Sequence, residues 1–205
     1  MTYELDKLQQ LIVRERQGRD RGWWQRMRDA YAPDAAVAIS WFRGTATEFI
    51  ARSQQMAESG DRAVHRLAPP VIDIADDRAV AEVPAAIELR SDIGGVEVDL
   101  VSYTRLLYRA VRLDGSWRLC SLAAIYERDT MVPVLPGTVP AIDRAQLAAL
   151  RPSYRWLAYH LHRKGYAVNP DLPGDDRPDA VDALYTSAFD WLRSPDTACA
   201  PSGAA

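Results

Sequence analysis

The sequence predicts an α+β fold with a helical C-terminal extension. Three observations carry that prediction. Apolar residues recur at helical spacing up to residue 59, the period changes to two from residue 62, and helical spacing returns at 143–164 and 178–193.

Leu5, Leu8, Leu11 and Ile12 predict a first amphipathic helix over 3–16. Gly18 and Gly22 bracket a break, and a second helix follows through Trp23, Trp24, Met27 and Tyr31 until Pro33 stops it. Residues 34–40 suit a short strand. A third helix is expected over 45–59, with Thr45 or Thr47 at its start and Gly60 past its end. Ala63, His65 and Leu67 then share one strand parity and Arg62, Val64 and Arg66 the other. Pro69 and Pro70 interrupt that strand before VIDIA continues it, and Asp76-Asp77 makes a turn. Gly94-Gly95 and Asp114-Gly115 are hairpin signals between long strands, which predicts a curved antiparallel sheet. The proline-rich MVPVLPGTVP marks the change of character at 131–140. These boundaries divide the chain into a domain at 1–132, a helical extension at 133–193 and a tail at 194–205 expected to be disordered.

With 205 residues, 48% hydrophobic and 26% charged, the composition is that of a globular protein. A net charge of -3, with arginines interleaved among acids, argues against nucleic-acid binding. The chain has no apolar run long enough to span a bilayer and no signal-like N-terminus, so no membrane association and a cytoplasmic location are expected. Cys120 reads as a small buried residue and Cys199 as a tail position, so neither a disulfide framework nor a zinc site is expected. His160 and His162 lie two apart on a helix and point to different faces, which speaks against a metal site. Phosphate-loop, dinucleotide-binding and nucleophile-elbow motifs are absent from the chain.

His65 lies on the apolar parity of its strand, and an imidazole facing a cavity is suited to general-base work. Asp20 falls on a helical stripe with Trp24, Met27 and Tyr31. It suits two roles, a carboxylate that orients His65 or the N-cap of the second helix. Trp24, Tyr31, Trp41, Tyr103 and Tyr126 are candidates to line a substrate pocket, and Asp99 is a weaker candidate acid.

The segments RDRGWWQRMRDAYAPDAAV, WFRG, AVHRL and LDGSWRLCSLAAIYERD, in this order, resemble SnoaL-like proteins of the nuclear transport factor 2-like (cystatin-like) superfamily over about 3–132. The resemblance implies a cone in which helices wrap a curved sheet around an internal pocket. Within the superfamily the chain is most similar to the branch of scytalone dehydratase, bile-acid 7α-dehydratase and hexachlorocyclohexane dehydrochlorinase. That branch pairs an aspartate before the second helix with a histidine on the strand after the third, and Asp20 and His65 match those positions. Glu15 and Arg16 stand where those relatives place a tyrosine or lysine. The resemblance therefore implies a cofactor-free, metal-free lyase of the dehydratase type, acting on a ring-containing apolar substrate and assembling as a dimer or trimer. The same base also serves isomerase or polyketide-cyclase chemistry, and the cone elsewhere serves as a non-catalytic binding or structural subunit.

Overall fold

The computed structural model describes residues 2–194 and Cys199. Helix α1 spans Thr2–Arg21 and α2 spans Trp24–Ala30. The first break therefore falls at Gly22, not Gly18. Gly22 takes φ +70° while the Trp23 amide reaches back to the Gly18 carbonyl at 2.8 Å, a glycine-capped helix end. Gly18 is instead a contact position, where an added Cβ would sit 3.3 Å from the Met27 nitrogen of α2. The second helix ends before Pro33. Tyr31 is already extended, and β1 runs Tyr31–Ile39 with Pro33 inside an irregular stretch of its pairing.

Strand β2 (Phe42–Thr45) leads into α3 (Ala46–Glu58). Thr45 and Glu48 form a reciprocal capping box at the start of α3. Then come β3 (Val64–Leu67), β4 (Val71–Ala75), β5 (Arg78–Ile93), β6 (Val96–Leu113) and β7 (Ser116–Pro133). The predicted turns hold positive φ at Asp76, Gly94, Gly95, Asp114 and Gly115. The sheet order is β2-β1-β7-β6-β5-β3, with β4 also on β5. One pairing departs from the expected antiparallel sheet: β1 runs parallel to β7. Strand β7 has two register shifts, which leave Glu127 and Cys120 without a partner on β6 and curl the sheet.

The two faces of β5 and β6 carry different things. Register places His65, Ile87, Ser102, Thr104 and Leu106 on the concave side, against α1 and α3. Tyr103, Arg105 and Arg109 point to the convex side.

The C-terminal extension covers both faces. Pro152 breaks the long helix expected over 143–164 into α4 (Arg144–Ala148), a 3-10 turn (Pro152–Tyr154) and α5 (Arg155–Arg163). Helix α5 lies over the concave side, where the Asp129 carboxylate of β7 accepts the Leu157 amide at 2.8 Å. Helix α6 (Pro178–Arg193) packs on the convex side, where Arg105 donates to the Tyr185 hydroxyl and Arg109 to the Ser187 hydroxyl, each at 2.8 Å. Arg78 donates to the carbonyls of Trp191 and Ser194.

A disulfide joins Cys120 to Cys199, against the expectation of two unpaired cysteines. The 79-residue separation explains why spacing does not reveal it, since only the fold brings the bulge of β7 to the tail. Of the tail expected to be disordered, residues 195–198 and 200–205 lie outside the described residues.

Candidate active site

Asp20 lies in the last turn of α1 and does not cap α2, whose N-cap position is Trp23 with no side-chain hydrogen bond. A carboxylate at a helix C-terminus is opposed by the helix dipole, so it needs compensation. His65 supplies it twice. The His65 amide donates to Asp20 Oδ2 at 2.8 Å, and ring Nδ1 lies 2.6 Å from Oδ1. Both side chains are nearly buried.

Burial alone would raise the Asp20 pKa, but the two hydrogen bonds from His65 and the charge of Arg16 hold it below the ordinary range. Burial lowers the His65 pKa, and Arg16 and Arg19 push it the same way, against the raising effect of Asp20. Near neutral pH the pair is therefore an ionised carboxylate beside a neutral imidazole. A carboxylate only accepts, so the proton between them belongs to Nδ1 and the Nε2 lone pair is left as the basic position.

His65 opens onto a cavity of about 70 Å³. Trp41, Phe49, Leu106 and Tyr126 wall it, and Leu157, His160 and Leu161 of α5 cover it. The Trp41 ring packs 5.6 Å from Phe49 and 6.4 Å from Tyr166. Tyr126 is fixed by its ring contact with Tyr154 at 4.9 Å and by its hydroxyl, which accepts the Ser40 amide at 2.9 Å. Burial raises the Tyr126 pKa to about 12, so the phenol keeps its proton.

The buried side of α1 begins with Leu8 and Ile12 and continues with Glu15, Arg16 and Arg19, a helical stripe that turns from apolar to charged. Glu15 is fully buried and accepts from Arg16, from the Tyr31 hydroxyl at 3.0 Å and from the Tyr108 hydroxyl at 3.3 Å. Arg16 and Arg19 both reach the cavity wall.

Of the residues singled out from sequence, His65, Trp41 and Tyr126 line the cavity and Asp20 stands behind His65. Trp24, Tyr31 and Tyr103 do not line it. The chain break at Gly22 disrupts the stripe that linked Trp24 and Tyr31 to Asp20, and the Tyr31 hydroxyl is taken by Glu15. Tyr103 faces the convex side, with the Arg128 guanidinium 4.5 Å from its ring centre. Asp99 is on the same outer side, paired with Arg90 at 2.8 and 2.9 Å.

Sequence reasoning does not bring Arg19, His160 or Tyr166 to the pocket, and it notes Arg16 only as standing, with Glu15, where the resembling branch has a tyrosine or lysine. The charged continuation of the α1 stripe could have revealed the arginines. No local signal marks the other two, which come from the extension. The Tyr166 hydroxyl donates to Asp61 at 2.9 Å, and Lys164 pairs with the same carboxylate at 2.7 Å. Burial, helped by Lys164, lowers the His160 pKa. Among the described residues no group of three or more His, Cys, Asp or Glu side chains is placed to hold a metal ion.

Residues 4–123 match the model of the SnoaL-like domain. Pea pathogenicity protein 2 of Fusarium vanettenii is 32% identical over 202 residues, spanning 94% of this chain and 87% of its own. Among solved structures, a Novosphingobium aromaticivorans protein assigned as a scytalone dehydratase superposes with a TM-score of 0.53 at 13% identity, over 70% of this chain and 95% of that one. The hexachlorocyclohexane dehydrochlorinase LinA-type3 of Novosphingobium barchaimii gives 0.50 at 16% identity, over 68% and 97%. At these identities the two structures speak to the fold alone, a fold shared with lyases. The chain belongs to the SnoaL-like domain family, with the nuclear transport factor 2-like fold.

Proposed function

We propose that this protein is a cofactor-free lyase that eliminates water or a similar leaving group from a small, largely apolar substrate. The observation that carries the reading is the buried Asp20–His65 pair, 2.6 Å apart, whose imidazole opens onto the cavity. In the proposed step His65 Nε2 removes a proton from a substrate carbon. The C–H electron pair becomes the new carbon–carbon double bond, and the leaving oxygen departs from the adjacent carbon. Asp20 holds the imidazole in the reactive tautomer and stabilises the imidazolium as it forms. The imidazolium then returns its proton to the departing hydroxyl, so that water leaves and the base is regenerated. Tyr126, whose hydroxyl already accepts the Ser40 amide, keeps a proton with which to steady the leaving oxygen. Trp41 and Phe49 favour a flat or ring-containing skeleton. The cavity, about 70 Å³, suits a small skeleton.

The test is proton exchange in deuterated water on a panel of cyclic and open-chain β-hydroxy ketones and β-hydroxy acids. Exchange or elimination above the buffer rate, lost in His65→Ala by about 10²-fold or more, supports the reading. Wild-type rates equal to buffer across the panel would refute it.

A further inference from the structure

Arg19 is a buried cation without an adequate partner. Its residue is 6% exposed. A guanidinium carries five N–H donors, yet among the described residues the hydrogen-bond partner it reaches is the Met56 thioether at 3.3 Å. A thioether is a weak acceptor, and leaving a buried charge so poorly met is costly. The adjacent carboxylates are engaged elsewhere: Asp20 by the His65 ring and amide, Glu15 by Arg16 and two tyrosines. Asp61, the carboxylate on the cavity wall, is held by Tyr166 and Lys164. Arg16 adds a like charge nearby. Burial, and secondarily Arg16, lowers the Arg19 pKa to about 10, which still leaves it a cation at neutral pH.

We propose that the substrate carries a carboxylate and that Arg19 receives it inside the cavity. A planar carboxylate matches the fork of a guanidinium with two parallel hydrogen bonds. A neutral carbonyl would satisfy donors but leave the buried charge uncompensated. Anchoring the acid at Arg19 holds the apolar remainder against the wall formed by Trp41 and Phe49, within the cavity onto which His65 opens. This names the substrate class for the elimination proposed above and rests on that reading for the chemistry, though not for the binding.

The experiment is calorimetric titration of the full chain with crotonate and benzoate and with their neutral amides, crotonamide and benzamide. The expected result is at least about 10-fold tighter binding of an acid than of its amide, the size of a charge-assisted hydrogen-bonded pair. Arg19→Met should bring that ratio to within about 2-fold, and Arg19→Lys, which keeps the charge without the fork, should hold an intermediate ratio. Equal binding of acids and amides by the wild type, or a ratio unchanged in Arg19→Lys and Arg19→Met, overturns the proposal. His65→Asn separates the two readings. It should lose proton exchange and keep the acid preference; missing exchange in the wild type refutes the lyase alone, and a missing acid preference in the wild type refutes the carboxylate alone.

Discussion

Two buried charge clusters stand on the same helix about one turn apart, and they are finished to different degrees. Around Glu15 every strong group has an answer: Arg16, Tyr31 and Tyr108 all donate to one carboxylate. That network ties α1 to the start of β1 and to the middle of β6. Around Asp20 the carboxylate side is equally complete, but what it holds is not. His65 presents one ring nitrogen to Asp20 and its ring lines a cavity, and among the described residues the hydrogen-bond acceptor that meets Arg19 is a sulfur. A closed network supports structure, whereas an open one beside a cavity is what the proposed function draws on.

The largest effect that could break this comparison is expected at Asp20. Asparagine would accept the His65 amide as before but would offer its NH₂ to Nδ1, moving the ring proton to Nε2. Turnover of a panel substrate should fall by about 10⁴-fold while the unfolding midpoint stays near wild type. A matching loss of stability would place Asp20 with the structural cluster. Glu15→Gln should behave in the opposite way. It leaves Arg16 buried without its counter-ion, and urea unfolding should show about 3–5 kcal/mol of lost stability.

A pH series sharpens the contrast further. The His65 pKa is depressed below its ordinary 6.5, so its neutral, basic form is present above that value. It is lost as pH falls through the lowered folded pKa. kcat/KM should therefore show an acid limb with an apparent pKa below about 6.5, and folding stability should decline over the same window. The smallest effect is expected at a half-buried acid, Asp129, whose pKa desolvation raises to about 6. Because its folded value exceeds the unfolded one, its contribution is fully present below about 4 and is lost as pH rises through 6. Asp129→Asn still accepts the Leu157 amide without the charge. Thermal unfolding should show a gain of about 1 kcal/mol at pH 8 and no gain at pH 4.

Much of the cone is legible locally. Thr45 and Glu48 announce the start of α3, Gly94-Gly95 and Asp114-Gly115 announce the turns, and strand parity alone turns His65 inward. What escapes is whatever depends on distant packing. Gly18 and Gly22 look alike in sequence, yet one admits a neighbouring helix and the other ends its own. The parallel β1–β7 pairing and the Cys120–Cys199 bond join segments that no short-range pattern relates. Arg19 escapes because the apolar periodicity that predicts the first helix ends at residue 16. Extended to Arg21, its buried face carries Leu8, Ile12, Glu15, Arg16 and Arg19 in register. His160 and Tyr166 reach the cavity from the extension, so their roles depend on how α5 closes over β7.

The most direct test of the account is ¹⁵N NMR of the His65 ring across a pH titration. The account predicts a neutral imidazole at pH 7 with the proton on Nδ1, a bare Nε2 and protonation only below about pH 6.5. In Asp20→Asn the proton should move to Nε2. A ring that is already imidazolium at pH 7, or that carries its proton on Nε2 in the wild type, would contradict the account, because no basic nitrogen would then face the cavity.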